Sequence, residues 1–439
     1  MGRRAFDMDK LIQDFVLIDD LESKRRIAKK VLDMAYKQGV YPSSINDFYM
    51  ARGRGEVPPD FCVPAMNLRT LTYDLAKAVI RTAKKSNCGA FIFEIAKSEI
   101  GYTGQSPVEY VTVCLAAAIK EGYKGPIFIQ GDHFQVNEKK YKENPGKEIG
   151  TIKNLIVEAI DAGFYNIDID SSTLVDLSKP DIKKQQRLNF EVCAELTGFI
   201  RRTQPKGIQV SVGGEIGEVG KKNSTAEELR TFIQGYRDSL RKNYTGISKI
   251  SIQTGTSHGG VVLPDGKIAE VKLDFDTLRD LSKVAREEFG LAGPVQHGAS
   301  TLPEEAETQT AEVHLATEFQ NRVYDSSLFP KELKDRMYDW IRQNCADEKK
   351  AGDTDDQFLY KARKKALGAF KKDITKLPQE IKGGIAKELE AKFEFLFKQL
   401  NAPGKKDEVD KTITLKRVIK RKRLEQKEEE LVRDTHGDD

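Results

Sequence analysis

The chain has 439 residues, too many for one small domain but in keeping with a barrel of about 250 residues plus extensions. Its 72 basic and 68 acidic residues leave a formal charge of +4, so bulk charge gives no argument for nucleic acid, and any attraction for anions must be local. At 39% hydrophobic and 32% charged it can bury a core under a heavily charged surface, and no apolar run approaches the ~20 residues of a membrane span.

A helical lead-in is predicted over residues 1–58. Its start, MGRRAFDMDKLIQDF, has no continuous apolar stretch and is not expected to act as a secretory signal. The Met-Gly opening lacks Ser or Thr at the sixth position, so myristoylation is not expected either. In LESKRRIAKKVLDMAYKQGV the residues Leu21, Ile27, Val31, Leu32 and Tyr36 make a helical stripe that stops at Gly39. This segment reads as a packing appendage. ARGRGEVPPD then reads as a linker.

From residue 59 to 328 short apolar runs alternate with longer amphipathic stretches. The runs are FCVPAMN, GAFIFEIA, GPIFIQGDHF, NIDIDSS, QVSVGGEIG, KISIQTGTSH, GPVQHGAS and EVHLATE. Between them lie helical patterns such as LTYDLAKAVIRTAKKS and IGTIKNLIVEAIDAG. Gly89, Gly125 and Gly293 stand before runs, where a helix is capped and a strand begins. Strand–helix units repeated in this way predict a closed parallel TIM (β/α)8 barrel; an open doubly wound sheet is the alternative. Residues 329–402 are predicted to form a C-terminal helical extension. Residues 403–439 form a charged tail, in which Lys420 to Arg423 and Glu428 to Glu430 are blocks of like charge expected to be solvated. The five cysteines, Cys62, Cys88, Cys114, Cys193 and Cys345, form no CxxC pair, which predicts buried thiols in a reducing cytoplasm.

Three of the five histidines end apolar runs: His133 in the third, His258 in the sixth and His297 in the seventh. In a barrel, the carboxyl ends of the strands share one mouth, so residues far apart in sequence can meet there. Imidazole nitrogen suits zinc, and three protein ligands with one open position is the catalytic arrangement. Unrelated buried histidines are the alternative. Asp132 precedes His133, where a bend at the strand end would let both reach one site and make Asp132 a general acid or base. Glu215 and Glu218 lie in the glycine-rich VGGEIGEVG, and Asp176 in DSSTLVDLS is a further carboxylate for the mouth or a helix start. SHGG, with Gly259, and HGAS, with Gly298 and Ser300, present backbone NH groups suited to an anion such as a phosphate.

From about Phe61 to Tyr324 these motifs resemble those of the class II, zinc-dependent fructose-bisphosphate and tagatose-bisphosphate aldolases. VPAMN resembles the family's first strand, GDHF its Asp-His pair and DSSTLVDLS its SSxMIDxS stretch. GGEIGEVG resembles its ELGxxGG loop and GTSHGGVVLPDG its GxxHGxYKPG loop. HGASTLPEE resembles HGGSGIPEE, and EVHLATEFQN resembles KVNVATELKN. The resemblance implies a zinc-dependent lyase that reversibly cleaves a ketose phosphate to dihydroxyacetone phosphate and an aldehyde. It implies zinc on His133, His258 and His297, and Asp132 exchanging the proton of the substrate hydroxyl. It further implies phosphate held by Gly259, Gly298, Ser300 and Thr317, Asn67 beside the substrate, and Glu215 and Asp176 at a second divalent or monovalent cation. Two positions depart from the pattern. Gly220 is followed by Lys221, Lys222 and Asn223 where the family has the glutamate that removes the carbon-bound proton, which leaves Glu218 or Glu227 to replace it. His314 stands at the family's eighth-strand asparagine.

The competing readings are a metal-dependent barrel hydrolase and a non-catalytic barrel kept as a partner subunit. Barrel hydrolases commonly carry a His-x-His pair on the first strand, which FCVPAMN lacks. A Schiff-base aldolase would need a desolvated lysine at the mouth. Lys249 is expected at the opposite end, and nothing near Lys97 suggests a depressed pKa. The expected partner is a phosphorylated sugar, with neither nucleic acid nor membrane, in a homo-oligomer joined through the C-terminal helices.

Overall fold

The computed structural model describes residues 6–216, 222–254, 274–297 and 305–418. Nine parallel strands make one sheet: β1 Val40–Ser43, β2 Val63–Asn67, β3 Ile92–Ala96, β4 Gly125–Gln135, β5 Asn166–Asp170, β6 Ser211–Glu215, β7 Lys249–Ser251, β8 Pro294–His297 and β9 Glu312–Leu315. The order β4-β3-β2-β9-β8-β7-β6-β5 closes through β4–β5 pairing into an eight-stranded barrel surrounded by helices. Every barrel strand coincides with one of the apolar runs, β4 reaching one residue further to Gln135. Such runs lack the regular polar alternation of a half-exposed strand because a parallel strand under helices has no solvent face.

The helices between strands form for local reasons. Ser106 accepts the Glu109 amide ahead of Pro107–Lys120, and Asn144 accepts the Lys147 amide ahead of Pro145–Ala162. Gly163 ends the second of these at φ 119°, and Gly125 and Gly293 open β4 and β8 at φ 125° and 140°. Before β3 it is Asn87, at φ 48°, that ends the helix Thr72–Ser86. Gly89 has another use: a Cβ there would lie 2.6 Å from the Cβ of Lys405, where the C-terminal segment crosses.

The lead-in is not purely helical. Val40–Ser43 forms β1, which pairs in parallel with the start of β4, Val40 beside Gly125 and Ser43 beside Phe128. The helix Asn46–Gly53 follows and closes the amino end of the barrel. From it the Tyr49 hydroxyl donates to Glu312 inside the barrel. Arg52 donates to the carbonyls of Phe61, Gln309 and Thr310 at 2.5, 2.9 and 2.9 Å. At the other end of the chain, the helix Gln379–Gln399 packs along Thr72–Ser86. Its continuation joins the barrel backbone through Cys62 N to Leu400 O, 2.9 Å, and Gly89 N to Ala402 O, 3.0 Å.

The barrel interior is charged, where such interiors are ordinarily filled by branched apolar side chains. Lys249, fully buried at the start of β7, donates to Gln130 Oε1 at 2.8 Å, Asp168 Oδ2 at 2.9 Å and Glu312 Oε1 at 2.5 Å. Gln130 donates to Glu94 and Glu312 at 2.9 and 2.6 Å. His314 Nε2 lies 2.5 Å from Glu312 Oε1. Each charge therefore has an opposite charge or a dipole against it, the condition for burial at tolerable cost. Gly213 on β6 makes room for the network: a Cβ there would lie 2.2 Å from Asp168 Oδ1 and 3.1 Å from Lys249 Cε. All five cysteines are buried and no disulfide joins them, and no helix among the described residues is long and apolar enough to cross a membrane.

Candidate functional site

The site stands on a bulge in β4. The register of β4 on β5 shifts between Gly131 and Phe134, and His133 takes the left-handed conformation at φ 40°. A residue with a Cβ enters that region only when its surroundings hold it there, and bulges beside active sites re-aim side chains. Here the extra residue turns Asp132 and His133, adjacent in sequence, toward the same space. Gly131 permits the tight turn: a Cβ there would lie 2.4 Å from the ring of Phe134.

His133 Nε2 lies 2.7 Å from His297 Nδ1, at the end of β8. The rings are 4.3 Å apart, and the His314 ring lies 4.4 Å beyond that of His297. Asp132 Oδ1 is 3.7 Å from His133 Nε2 and 3.2 Å from His314 Nδ1. Asn67 Nδ2 holds the other oxygen of Asp132 at 3.1 Å and Glu99 at 2.7 Å. Glu215, at the end of β6, places Oε2 3.9 Å from both His133 Nδ1 and His297 Nε2. Ser251 Oγ lies 3.2 Å from His297 Nε2. Strand ends β2, β4, β6, β7, β8 and β9 thus converge on one volume at the carboxyl mouth.

The electrostatics follow from this crowding. Burial disfavours an ionised Asp132, but His133, His314 and His297 outweigh it and hold its carboxyl well below the usual range. Burial likewise opposes charge on His133, yet Asp132, Asp170 and Glu215 lift its pKa to about 10. His314 is raised well above an ordinary histidine against its burial, by Glu94, Asp132 and Glu312.

Several expected site residues meet here: Asp132, His133, His297, Glu215 and Asn67. Thr317 opens the helix Thr317–Asp325 at the end of β9 and lies 3.4 Å from Arg69 Nη1. His258, Glu218, Gly259, Gly298 and Ser300 lie outside the described residues. Asp176 is held elsewhere: its half-exposed carboxylate accepts from the Ser178 amide and hydroxyl at 3.0 and 2.6 Å and pairs with Lys179. The carboxylate beside His133 is instead Asp170, whose Oδ2 is 3.1 Å from Nδ1. Sequence reasoning passed over Asp170, although NIDID places it two residues from Asp168 on the same face of a strand.

The donor set suits a metal ion. Ligand atoms of Asp132, His133 and His297 all lie within 4.8 Å of one another. Two imidazoles on a tetrahedral zinc would hold their nitrogens about 3.3 Å apart, so the 2.7 Å pair needs to part by about half an ångström. Asp170 on the far nitrogen of His133 is the carboxylate–histidine arrangement that fixes a ligating ring.

No family model matches the chain, and no curated protein matches it. Solved structures do. A probable tagatose 6-phosphate kinase from Sinorhizobium meliloti 1021 is 13% identical with a TM-score of 0.53, over 78% of this chain and 97% of that one. A fructose-bisphosphate aldolase from Campylobacter jejuni is 17% identical with a TM-score of 0.49, over 84% and 96%. The fructuronate-tagaturonate epimerase UxaE of Cohnella laeviribosi is 12% identical with a TM-score of 0.49, over 81% and 82%. At such identity the likeness is one of fold.

Proposed function

We propose that this protein is a metal-dependent lyase that reversibly cleaves a ketose phosphate, such as fructose 1,6-bisphosphate, to dihydroxyacetone phosphate and an aldehyde. The observation that carries the reading is the meeting of Asp132, His133 and His297 at the carboxyl mouth, on a bulge that holds His133 at a positive φ. His133, His297 and, by the sequence pattern, His258 would hold zinc, which when bound supplies a Lewis acid for a carbonyl oxygen. Glu215, 3.9 Å from both described rings, is the further carboxylate for that ion or a second cation.

Asp132 is the base. Its two oxygens are oriented by His314 and Asn67, which aims the carboxylate at the space where the substrate hydroxyl would lie. As Asp132 takes the proton of the substrate hydroxyl, that oxygen becomes the aldehyde carbonyl and the neighbouring carbon–carbon bond breaks. The bonding pair stays on the ketone-side carbon, which then takes a proton from a loop carboxylate, for which Glu218 is the candidate. Thr317 and the backbone at Gly259, Gly298 and Ser300 would hold the phosphate. The reading places the protein in the cytoplasm as a homo-oligomer.

The test is turnover by purified, zinc-loaded protein on a panel of ketose mono- and bisphosphates. Asp132→Ala should cost at least about a hundredfold in kcat, the usual scale for a general base. His297→Ala should lose zinc as well as activity. If both variants match the parent, or nothing in the panel is cleaved, the lyase reading fails.

A further inference from the structure

We infer that Arg69 and Lys364 form an oxyanion-binding subsite at the barrel mouth, so that the C-terminal segment completes the substrate pocket. The Lys364 half of it lies beyond residue 324, outside the stretch that resembles the aldolases.

Arg69 stands two residues past β2. Its Nε is 2.6 Å from Glu99 Oε1, and its Nη1 is 3.4 Å from Thr317 Oγ1 and 3.3 Å from Gln320 Oε1. The guanidinium therefore lies between the ends of β2, β3 and β9. Asp132 is near enough for its charge to act on both Arg69 and Tyr102. Lys364 Nζ stands 5.9 Å from the centre of the Tyr102 ring, on the short helix Lys97–Thr103 that follows β3.

The C-terminal segment is fastened on both sides of Lys364. Arg363 pairs with Asp325 at 3.0 Å and lies over the rings of Tyr360 and Tyr324 at 4.6 and 5.1 Å. At Gly368 the backbone comes so close to helix Lys97–Thr103 that a Cβ would lie 2.4 Å from Tyr102 O. Lys371 Nζ donates to Gly104 O at 2.6 Å. These anchors hold a half-buried ammonium against helix Lys97–Thr103, the helix whose Glu99 also holds the Arg69 guanidinium.

Glu99 answers Arg69, while Lys364 makes no ion pair with a described residue. Burial first, and Arg69 next, outweigh the pull of Glu99 and push the Lys364 pKa below that of an ordinary lysine, and no described carboxylate stands within ion-pair distance as a partner. A phosphate or carboxylate between the two would supply it, and a guanidinium fork with an ammonium point charge suits either. On the proposed lyase reading, the oxyanion is one carried by the sugar.

Two measurements on the full-length protein separate this inference from that reading. The first needs no turnover: acylation of Lys364, followed by mass spectrometry, with inorganic phosphate or acetate as the probe. Phosphate should slow labelling of Lys364 several-fold and leave Lys365, which pairs with Glu348, unchanged; protection by acetate alone would make the ligand a carboxylate. Labelling indifferent to both anions overturns the subsite, whatever the enzyme does. The second is KM for whichever phosphorylated ketose is cleaved. Lys364→Gln should raise it about tenfold or more with little change in kcat, and Lys364→Arg should restore it. An unchanged KM in Lys364→Gln also overturns the inference.

Discussion

Replacing Gly213 by alanine tests whether the charged barrel interior is a fitted network. The backbone of Gly213 is not among those at positive φ, so alanine meets no conformational penalty there. Its methyl would meet Asp168 Oδ1 at 2.2 Å and Cγ at 2.9 Å. The carboxylate must then retreat by about 1 Å to reach ordinary contact. That lengthens the 2.9 Å bond from Lys249 to Asp168 Oδ2, in a place water does not reach. Breaking a buried ion pair costs about 3–5 kcal/mol, and Glu312 remains to hold Lys249, so a loss of about 3 kcal/mol is expected. Urea unfolding followed by circular dichroism would read it from the shifted midpoint. In an Asp168→Ala background the same substitution should cost less than about 1 kcal/mol, because its main obstacle is gone. A loss within about 0.5 kcal/mol in the parent, or an equal loss in both backgrounds, refutes the reasoning.

Asp170→Asn should weaken zinc binding by about ten- to a hundredfold, since it removes the carboxylate on His133 Nδ1; chelator competition measures this, and unchanged affinity would detach Asp170 from the site. Tyr49→Phe leaves Glu312 short of one buried donor and should cost about 1–3 kcal/mol in urea unfolding, with shape otherwise kept. Glu312 gives an acid signature. Burial opposes its charge, but Lys249 and His314 hold its pKa at about 2, below the 4.5 of a free glutamate. Its contribution is thus fully present above pH 4.5 and lost as pH falls toward 2, and Glu312→Gln should flatten the stability profile over that window. A profile of the same slope would show that Glu312 is not held ionised.

The barrel was legible because each of its strands coincides with a run without a solvent face. The short strand β1 was not, because VYPS holds a proline and only four residues, and its pairing with β4 is a distant contact. The meeting of His133 and His297 was legible from their places at run ends. The device that turns Asp132 and His133 together was not, since no glycine announces the left-handed residue. The charged interior was hidden for a different reason. Glu94, Asp168 and Glu312 read as interruptions of apolar runs, and Lys249 was expected at the end of the barrel away from the chemistry. It is at that end, but inward, and its value lies in partners from other strands. Asp176 drew attention by motif, while Asp170, which touches His133, offered only strand periodicity.

The helix at the base of the cylinder bears on where the chain can be cut. A fragment trimmed to residues 59–328 would lose Tyr49 and Arg52, leaving an oxygen of Glu312 and the carbonyls of Phe61, Gln309 and Thr310 without their donors. It would also lose Leu400 and Ala402, whose carbonyls satisfy the backbone where two strands begin. Segments on both sides of residues 59–328 are thus stitched into the barrel, and minimal versions for crystallography or engineering should retain residues 40–410.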